Sequence, residues 1–425
     1  MKKRILAVIS LILCVTSLLS CVGCTMIEDD GEYSESSTNL WSDSLYSESP
    51  TEKKTEKKTE KKTEKKTEKK TTAKETEPAL IPGVSKAEKA LTKYACLFTG
   101  SPVNSYSYKL QSRAKPSSNG LIFDNSCATL EFQGYMTGDV NLTISTHGGA
   151  YGFAHFTVYV DGKRVNERFY VKGSKQKITI ASFTGDYYHT IKVVKQTEFK
   201  WSLATINRLE ITGYLIAPPK DNDYYIEFLG DSLTTAYGNI GKPGYEPDDS
   251  PEFQDGTQSY AYILADAIGA DYSMISRSAA GLSQCWSNSP ILDYYKKHSK
   301  DRSSDDFDIA NARKPDLIVL HLGANDYNVG GSNESNFVAK GKELINYFRE
   351  NYGEDVPIIW AYDPNEGFPN KVKEIMNSFG GESAGYYTLS LPWSEAGAGG
   401  HPSYREHEKH ASLLLNLITS KNILK

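Results

Sequence analysis

An all-β domain of jelly-roll type followed by an α/β domain with a parallel sheet is the fold this sequence predicts, and three observations predict it. Between about Lys93 and Pro219 the apolar residues recur with period two. From Tyr224 onward, short apolar runs alternate with helical stretches. The residues from Glu28 to about Lys86 contain almost no apolar side chains and cannot bury a core. The chain is therefore divided into an export signal at 1–21, a linker at 22–88, a β-sandwich at 89–219 and an α/β domain at 220–425.

The first segment places Lys2, Lys3 and Arg4 before an uncharged run from Ile5 to Leu19, which has the length of a signal-peptide core rather than of a membrane span. The run ends in Leu-Leu-Ser-Cys and Val-Gly-Cys, so Cys21 and Cys24 each follow a small residue. That pattern resembles the lipobox of bacterial lipoproteins and implies a lipid on one of the two cysteines. The expected location is outside the cell, anchored to the membrane through lipid only or, with simple cleavage, secreted.

The linker contains five TEKK repeats from Thr51 to Lys70. A helix there would stack Glu on Glu and Lys on Lys at i,i+4, where like charges repel. An extended tether is expected.

The whole chain has 425 residues, 48 basic against 53 acidic, and a net charge of -5. Residues 91–425 hold 32 basic and 38 acidic side chains, so the folded part lacks the basic excess that binding to nucleic acid requires. Tyr supplies 28 aromatic residues, a type that suits sugar-binding surfaces and β-rich cores alike. Cys96, Cys127 and Cys285 permit at most one disulfide and lie too far apart for a zinc pattern. No metal and no cofactor are expected, and a monomer is the expected state.

In the β-domain, Leu130 and Phe132, then Val140, Leu142 and Ile144, then Phe156, Val158 and Val160 mark successive strands. Asp161-Gly162 is a hairpin signal between two of them. Pro218-Pro219 ends the domain, because consecutive prolines cannot continue a ladder. Five parallel strands follow, at Tyr225–Leu229, Tyr272–Ser276, Leu317–His321, Pro357–Trp360 and Tyr386–Leu389, and a closing helix runs from Ser403 to Ile423 with Leu413, Leu414, Leu417 and Ile418 on one face. In such sheets ligands meet the carboxyl ends of the strands.

The polar motifs fall at those ends. Gly230-Asp231-Ser232-Leu233 follows the first strand, Ser278-Ala279-Ala280-Gly281 the second and Gly323-Ala324-Asn325-Asp326 the third, while Gly400-His401-Pro402 precedes the last helix. Their order and spacing are similar to the four blocks of the SGNH, or GDSL, hydrolases, whose sheet is flavodoxin-like. The run IEFLGDSLTTAYGN, behind a β-domain containing HTIKVVKQTE, resembles carbohydrate esterase family 2, the acetylxylan esterases. The resemblance covers about residues 105 to 425 and departs from the family at Ala236 and Ala279, where glycines are expected.

This resemblance implies a carboxylic ester hydrolase that removes O-acetyl groups from plant polysaccharides such as xylan and glucomannan. Peptidoglycan acetyl groups, lipid esters and sugar binding without catalysis are the competing roles. Ser232 would be the nucleophile and His401 the base, with an oxyanion hole built from the backbone N–H groups of Ser232 and Gly281 and the side-chain amide of Asn325. Most SGNH enzymes carry Asp three residues before the histidine; here Ala398 stands there. A Ser-His dyad oriented by a backbone carbonyl is the implied arrangement, with Glu395 as the fallback carboxylate.

Trp286, Trp360 and Trp393 are candidate platforms for a sugar ring, with core packing equally open for each. His407 and His410 are expected on a solvated face of the closing helix, and His321 in the core. Asp231 and Asp326 are read as hydrogen-bond acceptors rather than acid catalysts.

Overall fold

The computed structural model describes residues 86–87, 90–98, 108–245, 251–286, 290–298, 306–329 and 333–425. The expected export signal at 1–21, Cys21, Cys24 and the TEKK repeats lie outside them.

The first body is antiparallel throughout. Its strands are β1 (Lys93–Leu97), β2 (Tyr108–Gln111), β3 (Lys115–Ser117), β4 (Gly120–Phe123), β5 (Thr129–His147), β6 (Phe153–Val160), β7 (Lys163–Lys172), β8 (Gln176–Lys195) and β9 (Leu203–Leu215). They pair in the order β3-β4-β9-β5-β8-β6-β7, with β1 on β9 and β2 on β5. β5 spans 19 residues and β8 spans 20, and register shifts after Met136 and Val140 break their ladder, as bulges do where long strands bend.

The expected alternation is present: Leu130, Phe132, Met136, Val140, Leu142 and Ile144 of β5 are all fully buried in the sandwich core. Asp161 and Gly162 both have positive φ, 49° and 76°, at the turn between β6 and β7, as a type I′ hairpin requires. Cys96, Cys127 and Cys285 are free thiols.

The second body is a parallel sheet of β10 (Tyr225–Gly230), β11 (Asp271–Ser276), β12 (Leu317–His321), β13 (Ile358–Tyr362) and β14 (Tyr386–Ser390), ordered β11-β10-β12-β13-β14. The chain leaves β10 for β11 on one side and then crosses to β12 on the other. That reversal opens a crevice at the carboxyl end of β10.

One face of the sheet packs on α3 (Ile291–Tyr295), α5 (Glu334–Tyr352) and α6 (Pro369–Ser378). The other packs on α2 (Tyr260–Ile268) and α7 (Tyr404–Ser420), and the same apolar cluster takes in Cys127 and Val194 of the sandwich. Among the leucines and isoleucine of α7, Leu414, Leu415 and Ile418 are buried and Leu413 is exposed, so the apolar stripe is turned from the expected one.

The sandwich is riveted to the amino-terminal side of the sheet. Lys109 Nζ lies 2.6 Å from Asp271 Oδ1, and the backbone N–H of Ser112 donates to Tyr272 O at 3.1 Å. Arg113, buried against the rings of Tyr295 and Phe307, faces Glu227 of β10 at 3.7 Å. Glu227 also accepts hydrogen bonds from the hydroxyls of Tyr225, Tyr295 and Tyr352. A buried charge pair is tolerable only when its remaining lone pairs are so satisfied.

Candidate active site

Ser232 is the first residue of α1 (Ser232–Thr235), a single turn capped by Asp231, whose Oδ1 accepts from the backbone N–H of Leu233 at 2.9 Å. Strand-to-turn geometry here leaves no room for a side chain at Gly230, where an added Cβ would lie 1.9 Å from Thr234 Oγ1. The turn closes through Ala236 in the left-handed region, φ 62° and ψ 42°, and Ala279 in the second block has φ 68°. Both are positions where glycine was expected, and both explain why. An alanine in this conformation costs about 1 kcal/mol.

His401 Nε2 lies 2.9 Å from Ser232 Oγ, and His401 Nδ1 lies 2.9 Å from the backbone oxygen of Gly399. A carbonyl only accepts, so Nδ1 carries the proton and Nε2 presents its lone pair to the serine. Gly399 and Gly400 take φ 60° and 68°, which turns the Gly399 carbonyl back under the ring. The backbone N–H groups of Ala398 and Gly399 donate to Gly238 O and Tyr245 O at 2.9 and 2.8 Å, tying the histidine loop to the segment after the nucleophile. Glu395 is not involved: it pairs with Arg405 at 2.8 Å.

Asn325 is the second residue of α4 (Ala324–Asn328) after β12, and its side-chain Nδ2 donates to Ala280 O at 2.8 Å and to Asp231 Oδ2 at 3.2 Å. Burial pushes the Asp231 carboxyl up to about 7, with Asp326 nearby adding to the rise and the hydrogen bond from Leu233 opposing it. Asp326 holds the loop of the second block: its carboxylate accepts from the backbone N–H groups of Leu282, Ser283 and Gln284 at 2.7–2.9 Å. A Cβ on Gly281 would strike Gln284 O at 1.8 Å and Asp326 Oδ2 at 2.7 Å, so this loop admits only glycine. Both aspartates act as acceptors, as the sequence suggested.

Trp360 is not a platform. It is fully buried on β13, donates its indole N–H to Leu322 O at 3.2 Å and packs on Phe337, because an inward-facing strand position belongs to the core. Trp393 is half-buried, with its N–H on Asp363 Oδ2, whereas Trp286 is 65% exposed on the loop after β11. Tyr245, on the loop after α1, and Tyr327, on α4 (Ala324–Asn328) after β12, are exposed as well.

His407 and His410 are buried, contrary to the expected solvated face, since α7 turns them onto Tyr260 of α2. His321 is buried beside the same ring, as expected of a core histidine. No group of side chains among the described residues is suited to hold a metal ion.

Three residues escaped the sequence reading. Trp201 of the sandwich stacks on Tyr237 with ring centroids 5.7 Å apart and planes 3° apart, and Tyr237 in turn meets His401 edge-on at 5.0 Å. Glu198, from the same loop, contacts the second block. The HTIKVVKQTE run, which ends on Glu198, and the IEFLGDSLTTAYGN run, which holds Tyr237, carried a signal for two of them, whereas Trp201 lies in neither.

Two family models match: the GDSL-like Lipase/Acylhydrolase model over residues 226–387 and the Carbohydrate esterase 2 N-terminal model over residues 113–219. In both folded bodies the chain is similar to carbohydrate esterase family 2. A family 2 carbohydrate esterase of Clostridium thermocellum, solved in complex with cellohexaose, is similar with a TM-score of 0.67 and 26% identity, covering 74% of this chain and 99% of that one. The family 2 enzyme of Cellvibrio japonicus shares the fold at a TM-score of 0.68 and 16% identity, over 79% and 99% of the two chains.

Among curated relatives, the cellulase/esterase CelE of Acetivibrio thermocellus is 27% identical over 70% of this chain. The acetylxylan esterase / glucomannan deacetylase of Cellvibrio japonicus is 21% identical over 44% of it. The chain spans 37% and 52% of the length of these two relatives.

Proposed function

We propose that this chain is a serine esterase that removes O-acetyl groups from plant cell-wall polysaccharides, using Ser232 and His401 as a dyad. The observation that carries this reading is the line from Gly399 O through the imidazole to Ser232 Oγ, 2.9 Å on each side of the ring. Ser232 Oγ attacks the acetyl carbonyl while Nε2 takes its proton. The C–O bond to the sugar then breaks, Nε2 returns the proton to the leaving hydroxyl, and acetyl-Ser232 remains. Water, deprotonated by the same nitrogen, hydrolyses it to acetate.

The Gly399 carbonyl dipole, on Nδ1, stabilises the charge of the imidazolium. The tetrahedral oxyanion would rest on the Ser232 and Gly281 N–H groups and on Asn325. Both Asn325 N–H groups already have acceptors, and the longer contact, 3.2 Å to Asp231, is the one an oxyanion would displace.

A sugar substrate is supported by the exposed rings of Trp286 and Tyr245 on loops and of Tyr327 on α4, and by the cellohexaose bound to the Clostridium thermocellum relative. The purified chain is expected to cleave p-nitrophenyl acetate and to release acetate from acetylated xylan or glucomannan, and Ser232→Ala to do neither. Activity surviving in Ser232→Ala defeats the reading, and preference for octanoate over acetate esters replaces the polysaccharide with a lipid.

We also infer export and a lipid anchor, from the basic start, the apolar run and the small residues before Cys21 and Cys24. Metabolic labelling with an alkyne fatty acid should be lost in Cys21→Ser or in Cys24→Ser. Labelling absent from the unaltered chain argues for secretion instead.

A further inference from the structure

We propose that Glu198, supplied by the β-sandwich, is a positioning residue for the oxyanion hole and the nucleophile turn of the hydrolase domain. The inference rests on the esterase reading above and names a part of the machinery outside the hydrolase domain.

Glu198 lies in the connection between β8 and β9 and is 1% exposed. Its Oε2 accepts the backbone N–H of Ser278 at 2.9 Å, and its Oε1 accepts the Ser278 hydroxyl in a very short hydrogen bond. Thr235 Oγ1, at the end of the turn that begins with Ser232, lies 3.4 Å from the same oxygen. One carboxylate therefore joins the turn that begins with Ser232 to the block that runs from Ser278 to Gly281.

The clasp is closed from behind. The backbone N–H of Glu198 donates to Gln254 Oε1 at 3.1 Å, that oxygen also accepts the Trp201 indole N–H at 2.7 Å, and Gln254 Nε2 donates to Thr235 O at 2.8 Å. On the other side, Ser278 begins the tight turn through Ala279 at φ 68° to Ala280, whose carbonyl holds the Asn325 amide at 2.8 Å. Displacing Ser278 thus moves Ala280 O, and with it Asn325 and Gly281.

Removing the carboxylate leaves the buried Ser278 N–H without its acceptor, and the loop must shift to satisfy it. A shift of about 1 Å in a catalytic constellation costs about 100-fold in rate. Glu198 is sealed from solvent and touches no substrate, so the loss belongs in kcat and not in KM.

The test compares the full chain with Glu198→Ala, Glu198→Gln, Ser278→Ala and Ser232→Ala on p-nitrophenyl acetate, with active sites counted by the endpoint of labelling with a fluorophosphonate. Per active site, Glu198→Ala should lose about 100-fold in kcat, with KM changed by less than about two-fold, and should be phosphonylated correspondingly slowly. Gln can keep its oxygen on the Ser278 N–H and turn its amide N–H to the Ser278 hydroxyl, so Glu198→Gln should recover to within about 10-fold of the unaltered chain.

A purely structural residue would lower the melting temperature and leave kcat per active site intact; that result in Glu198→Ala, or a loss confined to KM, overturns the proposal. If Glu198→Ala does not fold, Glu198→Gln and Ser278→Ala decide, and full kcat in both overturns it. Failure of the unaltered chain to react, or reaction of Ser232→Ala, overturns the esterase reading and this inference with it, a pattern distinct from the others.

Discussion

Ala398 decides how the histidine of this site can be oriented. It is fully buried, and the space its side chain would need belongs to the segment after the nucleophile: a Cβ on Gly241 would sit 2.5 Å from the Ala398 Cβ, and one on Gly238 would sit 2.4 Å from its carbonyl oxygen. A carboxylate there would be both overpacked and cut off from water. Restoring the familiar aspartate with Ala398→Asp is therefore expected to destabilise the fold by about 2 kcal/mol or more, through overpacking alone, and to leave kcat no higher. Thermal unfolding and esterase kinetics on the same preparation check this; a faster enzyme with an unchanged melting temperature would contradict it. At this scale a residue is legible where its type carries its own chemistry. His401 reaches Ser232, and Asn325 reaches the Ala280 carbonyl next to Gly281, whereas Trp360 lies in the core, because an indole looks the same in a core and in a cleft until its strand register is known.

Among the elements, α7 best shows what periodicity conveys and what it leaves out. The helix was legible from its apolar residues, but its rotation was set by packing on α2, which exposes Leu413 and buries His407 and His410 around Tyr260. Burial lowers His321 to about 3 and depresses His407 and His410, the latter against an opposing hydrogen bond to Pro392 O and the nearby charges of Glu406 and Asp363. In the unfolded chain each titrates near 6.5. Groups depressed in this way keep their full contribution above about pH 6.5, and stability is lost as pH falls toward the folded values, because the unfolded chain binds protons that the fold excludes. With three such histidines the loss can reach about 4 kcal/mol per pH unit at its steepest. Denaturant midpoints between pH 8 and 5 should fall accordingly. His407→Asn keeps an acceptor for the Tyr260 N–H, 3.3 Å away, and should remove about one proton from the slope. An unchanged slope in that variant would refute the assignment.

For the molecule as a whole, the order of parts was readable: alternation marked the sandwich, strand and helix runs marked the parallel sheet, and the family blocks marked its carboxyl edge. What could not be read was the joint between them. Arg113 with Glu227, Lys109 with Asp271 and Glu198 with Ser278 are pairs separated by 80 residues or more, and no local pattern couples such positions. Nor does composition reveal that Cys127 and Val194 of the sandwich complete an apolar cluster built mainly by the other domain. That shared cluster has a consequence for inheritance and for engineering. The catalytic half is not a free-standing cassette to which any sugar-binding sandwich can be fused: a chimera must carry over the 194–201 loop and its seat together, or it exchanges a working enzyme for two ill-fitting pieces.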